Sequence, residues 1–171
     1  MTAIDQRELR DALGSFVTGV TVVTTLGNRP ATDSGDPATV PVAMTANSFS
    51  SVSLDPPLIL WSIAHSAQSF DAFDKADHFA VHILHSAQKG LSNICATKNA
   101  DKFAEISWHA GIGGVPVFDD YNTCFQCSVE SKFDGGDHMI MVGRVRDFDN
   151  RQKETHLTPL VFYQGQYKNI A

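Results

Sequence analysis

Asp134-Gly135-Gly136-Asp137 stands between two long β-prone runs, about Thr123 to Phe133 and His138 to Phe148. Adjacent glycines reach the positive-φ conformations of a tight turn at no steric cost, so the two runs are expected to fold back as one antiparallel hairpin. This is the strongest local commitment in the chain, and the other elements are read around it.

Asp5 followed by Glu8 forms a capping-box pattern, and Leu9, Leu13 and Phe16 recur at helical spacing. They predict an amphipathic helix from about Gln6 to Phe16 with its apolar stripe against a core. Gly19 to Thr25 is dense in β-branched residues, and a Gly/Pro/Asp-rich stretch from Gly27 to Pro37 separates it from a second strand, Val40 to Thr45. Asp55-Pro56-Pro57 marks a turn before the apolar strand Leu58 to Ile63. Ser66 is placed to cap a helix carrying Phe70 and Phe73; Phe79, Val81 and Ile83 then alternate as a strand. Another helix is expected after Ser86, carrying Leu91 and Ile94, followed by a polar stretch around Lys98 to Lys102, a Gly111-Ile112-Gly113-Gly114 loop, and a last apolar run from Leu160 to Tyr163. Six or seven strands interrupted by three short helices, without repeat or dividing linker, predict a single domain over residues 1–171. Its class is mainly β (α+β), a closed or nearly closed barrel with short helical insertions.

At 171 residues and 43% hydrophobic, the chain is able to bury a core, and a net charge of −6 gives it no basic footprint for nucleic acid. No run approaches the roughly 18 apolar residues of a membrane span. The polar opening Met1-Thr2-Ala3-Ile4-Asp5 lacks the plan of a signal peptide. A cytoplasmic protein is expected, and three cysteines, an odd number, suit a reducing compartment better than a disulfide framework.

Thr45-Ala46-Asn47-Ser48-Phe49-Ser50-Ser51-Val52-Ser53 follows a strand, is rich in hydroxyl and amide side chains and carries no charge. Such a loop aims polar groups at a phosphate or heterocycle edge, or it is a satisfied polar turn. Ser66-Ala67-Gln68-Ser69 sits where a strand hands over to a helix, as an anion-receiving N-terminus or as a plain cap. Lys89, one turn into the next helix, adds a charge to a phosphate site or is a solvated lysine. His78 and His82 share parity on one strand with His85 on the other face, and no pair has metal-site spacing. Cys124 and Cys127 sit three apart on a strand and point to opposite faces, so they are expected as core thiols, and no metal is expected. His138 begins a strand directly after the Gly-Gly turn, where a histidine hydrogen-bonds a carboxamide, carries a proton, or is simply solvated.

Five ordered segments then resemble one family, the short flavin reductases that serve as reductase components of two-component flavin-dependent monooxygenases. They are Phe16-Val17-Thr18-Gly19-Val20-Thr21-Val22-Val23-Thr24-Thr25, the Thr45 to Leu58 segment, Asp101-Lys102-Phe103, Gly136-Asp137-His138, and Pro159-Leu160-Val161-Phe162-Tyr163-Gln164-Gly165. The resemblance implies an FMN-binding split β-barrel, normally a homodimer, with flavin and nicotinamide near the subunit interface. It implies that Thr45, Ala46, Asn47, Ser48, Ser50, Ser51, Val52 and Ser53 hold the isoalloxazine and ribityl chain, and that Ser62, Ile63, Ala64, Ser66 and Ser69 approach the phosphate. Lys89 and Tyr163 join this cofactor set, and His138 lies beside the nicotinamide. Three departures from the family pattern stand out: a long hairpin loop around Asp33 to Ala38, Ala43 where glycine is frequent, and Cys95 where phenylalanine is frequent.

The activity so implied is NAD(P)H:flavin oxidoreduction, reducing FMN or FAD and supplying reduced flavin to a separate monooxygenase. NADH is favoured over NADPH because no basic cluster announces a 2′-phosphate pocket. The competing readings are a tightly flavin-bound electron carrier and a pyridoxamine-phosphate-oxidase-like enzyme on the same barrel.

Overall fold

A computed structural model describes residues 4–29, 38–151 and 157–170. The Gly-Gly turn delivers the expected hairpin: β9 (Thr123–Asp134) and β10 (His138–Asn150) pair antiparallel, with Gly136 at φ 84° in the turn. Around it lie β2 (Thr21–Arg29), β3 (Ala38–Ala46), β4 (Ser50–Leu54), β5 (Pro57–Ala64) and β6 (His78–Ile83), in the sheet order β3-β2-β6-β9-β10-β5-β4. β11 (Val161–Tyr163) falls in the apolar run expected from Leu160 to Tyr163, but four short strands were not legible: β1 (Thr18–Gly19), β7 (Trp108–Ala110), β8 (Pro116–Phe118) and β12 (Gln166–Lys168). At two or three residues each, they are too short to show a period. Of the loop expected from Gly27 to Pro37, Gly27 to Arg29 instead extend β2, paired with Val40 to Ala38 of β3, and residues 30–37 lie outside the described residues.

Strand alternation sorts the apolar side chains into two cores. Val23, Ala46, Trp61, Ile63, Phe79, Val81, Cys127, Met139 and Met141 converge from six strands on the barrel interior, which Phe73 closes from a helix. Val22, Ala43, Ala80 and Cys124 face outward and are covered by Cys95, Val117, Phe118 and Leu160. Cys124 and Cys127 therefore do occupy opposite faces, and burial pushes both thiols up to about 12. Trp61 meets Phe73 and Phe79 edge-on at 4.9 and 5.9 Å. Gly143 admits this packing, since a Cβ there would stand 2.3 Å from Phe79 Cζ.

Among the described residues three helices decorate the sheet, and each departs from expectation. In α1 (Gln6–Leu13) the Asp5 carboxylate caps as expected, accepting from the Arg7 and Glu8 amides at 2.8 and 2.9 Å. Yet no residue of α1 is buried, and Leu13 and Phe16 are 67% and 77% exposed, so its stripe faces no core within this chain. Helix α2 (Phe70–Asp74) begins after Ser69, not Ser66. The chain first makes two turns, with the Ala67 amide donating to Ala64 O and the Phe70 amide to Ala67 O, which leaves Ser66 exposed outside the cap. Helix α3 (Lys89–Ala96) follows a 3-10 turn, Ser86–Gln88, so Lys89 opens the helix. β6 ends at Ile83, which places His85 beyond the strand, buried and 3.0 Å from Asp120.

Candidate functional site

The expected ligand loop is shorter than the sequence indicates. Thr45 and Ala46 finish β3, Ser50 to Ser53 already belong to the edge strand β4, and only Asn47 to Phe49 form the turn between them. Alternating small hydroxyl residues hide a strand, because serine has little strand propensity of its own. The Ser48 hydroxyl accepts from the Ser62 amide at 2.9 Å and donates to Ser62 O at 3.1 Å. One side chain thus replaces a missing ladder partner and ties the turn to the end of β5.

On its other side β5 pairs with β10, with Ser62 opposite Ile140, Ile63 opposite Met139 and Ala64 opposite His138. The His65 amide donates to Asp137 O at 3.0 Å, and His65 Nε2 lies 3.5 Å from Asp134. The Gly-Gly turn is thereby latched to the 62–65 segment. His138 is half-buried, with Nδ1 2.7 Å from the Asp137 carboxylate. A carboxylate only accepts, so Nδ1 carries the hydrogen and Nε2 is the ring nitrogen left for a ligand. The His138 ring in turn holds the Asp137 carboxyl below its ordinary range.

Two concavities flank this junction. A groove of about 1290 Å³ runs past Met44, Thr45, Ala67, Ser69 and Lys102. A hollow of about 620 Å³ is walled by Leu13, Phe16, Thr18, Asn47, Phe162 and Gln164. Thr45 and Ser69 reach the groove, Asn47 reaches the hollow, and Ser48, Ser62 and Ala64 lie at the junction with His138. The Thr45 hydroxyl donates to Ser92 O at 2.6 Å, and that of Ser69 to the Met44 sulfur at 3.6 Å. Lys89 extends over the Tyr167 ring at 5.5 Å, whose hydroxyl meets Ser92 at 2.8 Å, so it sits on the same helix that Thr45 anchors.

Several expected residues are placed elsewhere. Ile63 is fully buried and Ala46 nearly so, both in the barrel interior, so neither side chain reaches a ligand. Ser50, Ser51 and Val52 are exposed along the edge strand, where the Ser50 hydroxyl bonds only to Ser51 O, and Ser53 is half-buried beside them. Tyr163 is half-buried on β11, next to Phe162, whose ring reaches the hollow. Among the described residues no three His, Cys, Asp or Glu side chains are grouped to hold a metal ion.

The residues missed are Gln68, Asn99 and Lys102. Gln68 and Asn99 bond twice, Nε2 to Oδ1 at 2.7 Å and the Asn99 amide to Gln68 Oε1 at 3.1 Å. Lys102 Nζ donates to Ala43 O and Cys95 O, each at 2.8 Å, and burial lowers its pKa from the ordinary lysine value. The Asp101-Lys102-Phe103 segment was the available signal, but it gave no role.

A curled antiparallel sheet whose strand ends gather uncharged hydroxyls and a histidine beside a large groove is the setting in which β-barrels commonly bind small molecules. The chain belongs to the family of flavin reductase like domains, whose model matches residues 13–171. It is 44% identical to a probable flavin reductase of Rhizobium meliloti over 98% of this chain and 50% of that protein. It is 41% identical to the FMN reductase (NADH) SmoA of Agrobacterium fabrum over 98% of this chain and 87% of that protein. A Streptomyces globisporus NADH:FAD oxidoreductase solved with NAD and FAD fragments superposes with a TM-score of 0.85 at 30% identity, covering 100% of this chain and 98% of that one. The chain spans 50%, 65% and 50% of the first three curated relatives it matches. The mainly β barrel expected from the sequence is thus borne out. No helix among the described residues is long and apolar enough to cross a membrane.

Proposed function

We propose that residues 1–171 act as one domain that reduces FMN or FAD with NADH, NADPH being the alternative donor, and hands the reduced flavin to a separate monooxygenase. The observation that carries this is the convergence of three distant segments at one point. Ser48 is stitched to Ser62, and Asp137 and His138 are latched across Ala64 and His65. The names of the relatives support it, one an FMN reductase (NADH) and another the reductase component of a trigonelline monooxygenase.

The residues present fit a flavin. The groove exceeds the roughly 300–1,000 Å³ of common small-molecule sites, and its approach offers neutral hydroxyl and amide groups suited to a heterocycle edge. Flavin, when bound, supplies the N5 atom that accepts a hydride, so the protein needs no nucleophile. What the chain contributes is orientation. Ser48 and the β5–β10 ladder fix the backbone on which Ser62, Ala64 and His138 stand, and Asp137 fixes the tautomer that leaves His138 Nε2 for a nicotinamide carboxamide.

A second copy of the chain belongs to the same proposal. Leu9, Leu13, Phe16 and Val17 form an exposed apolar stripe beside the hollow that Asn47 enters, and a two-fold partner would cover it. The three cysteines are free and buried, in keeping with the proposed cytoplasmic location. The test is an anaerobic stopped-flow mix of protein, excess FMN or FAD, and NADH. Catalytic bleaching of flavin absorbance beyond one equivalent is expected; reduction that stops at one equivalent identifies an electron carrier instead.

A further inference from the structure

The turn that carries His138 is loose by composition. Gly135 and Gly136 have no side chains to pack, and a Cβ on Gly136, at φ 84°, would meet nothing within 4 Å. Adjacent glycines leave the backbone more freedom than other residues do. The β9–β10 ladder ends at the pair Met139–Asp134, one residue short of His138, so its backbone is held by the ladder to Ala64 and by the Gly135 amide, which donates to His138 O at 2.8 Å. Among the described residues, His65 then grips the turn at both ends. Its amide donates to Asp137 O at 3.0 Å, and its Nε2 lies 3.5 Å from the Asp134 carboxylate.

The same ring is anchored on its far side. It lies against Phe70 with ring centres 4.9 Å apart, and Phe70 opens α2 and packs on the barrel interior. Ala67 and Ser69, which lie between His65 and Phe70 in the chain, line the large groove. His65 also acts on the carboxylate that orients His138. The Asp137 carboxyl is held below its ordinary range first by its hydrogen bond to His138 and, more weakly, by the charge of His65. One side chain therefore links the barrel, the segment beside the groove and both ends of a turn that has little stiffness of its own.

We propose that His65 is a positioning residue for use of the nicotinamide donor: it clamps the Gly-Gly turn so that His138 is presented in one orientation. The inference rests on the flavin reductase function proposed above and deepens it. Because the His65 side chain is 44% exposed and Asp134 84%, their attraction is modest, and a few-fold effect is expected in place of the larger loss from removing His138 itself.

The test compares wild type with His65→Phe, which keeps a ring against Phe70 but loses the nitrogen facing Asp134, with Asp134→Ala, and with each of these combined with His138→Ala. His65→Phe and Asp134→Ala should each lower kcat/KM for NADH about threefold to fivefold through KM, with kcat and flavin affinity changed less than about twofold. Beside His138→Ala, His65→Phe should have almost no further effect, because a residue that acts through another then has nothing left to position. Hydrogen exchange gives a readout free of activity. The Gly135 amide should exchange about threefold faster or more in both single variants, while that of Val129, bonded to Asp77 O on the same strand, should not change. If His65→Phe does not fold, Asp134→Ala decides. A loss that persists in full beside His138→Ala overturns the proposal, since His65 would then meet a ligand itself. A Gly135 amide that exchanges at the wild-type rate overturns it too, as does unchanged NADH use in a protein that His138→Ala does impair. If His138→Ala alone leaves NADH use unchanged, the proposed role of His138 is what fails, and the exchange measurement still decides whether His65 holds the turn.

Discussion

His82 should set the acid limit of the fold. Its ring is fully buried on β6, stacked on Phe118 with ring centres 4.4 Å apart. Nδ1 lies 3.1 Å from Val22 O, and Nε2 accepts from the Phe118 amide at 3.1 Å. A carbonyl only accepts and an amide N–H only donates, so both contacts are met by one neutral tautomer with its hydrogen on Nδ1. Protonating Nε2 would turn a hydrogen bond into two opposed N–H groups in a fully buried place. Burial accordingly lowers the pKa from 6.5 to about 4, opposed in part by the Val22 carbonyl. The folded-state pKa is depressed, so between pH 6.5 and 4 the unfolded chain binds the extra proton; stability is full above that window and falls as pH drops through it. At 1.36 kcal/mol per unit, the loss reaches about 2 kcal/mol at pH 5 and about 3 kcal/mol below pH 4. Urea unfolding at pH 7 and pH 5, at fixed protein concentration, reads it directly. His82→Gln, which cannot titrate, should be less stable at pH 7 but should lose about 2 kcal/mol less between the two pH values. Parallel pH profiles for wild type and variant would refute the reasoning, because the acid sensitivity would then belong to other groups.

Three further outcomes are expected. His138→Ala should lower kcat/KM for NADH about tenfold to a hundredfold, roughly 1.4–2.7 kcal/mol, and leave flavin affinity measured by fluorescence quenching largely intact; a wild-type rate across an NADH titration removes His138 from the mechanism. Gly143→Ala should destabilise by about 1–3 kcal/mol in urea, because the new methyl meets the Phe79 ring inside the barrel; an unchanged midpoint would mean the ring moves aside freely. Leu13→Asp with Phe16→Asp should convert a sedimenting dimer into monomer, and a wild type that sediments as monomer at micromolar concentration counts against the two-fold partner.

The hairpin, the cap of α1 and the opposite facing of Cys124 and Cys127 were legible in sequence because each rests on neighbours a few residues apart. Turn glycines, an Asp three before Glu, and strand parity are local rules, and the fold obeyed them. The exposed stripe on α1 followed the same helical periodicity and misled, since periodicity says that a face is apolar and not which molecule covers it. Ser66 failed as a cap for a related reason. Any serine before an apolar helix qualifies by residue type, whereas the turn geometry that moved the helix start to Ser69 depends on carbonyls the sequence does not rank.

The site divides along the same line. Ser48, Ser62 and His138 were each named as candidate site residues in separate segments; what brings those segments together is the Ser48–Ser62 bonds and the β5–β10 register, and a shift of one residue would have turned His138 to the other face. The groove was the least legible part. Lys75, Lys98 and Lys102 belong to a helix end and a polar loop far apart in sequence, and the attachment of α3 to β3 together with the Gln68–Asn99 pair brings the 95–103 segment against α2. A search of the sequence for a basic cluster therefore finds none. The shape of the groove is a property of the β3–α3 packing: Thr45→Val, which keeps the side-chain volume but leaves Ser92 O without its donor, should lower stability in urea by about 1 kcal/mol, and an unchanged midpoint would mean that this bond does not hold the groove together.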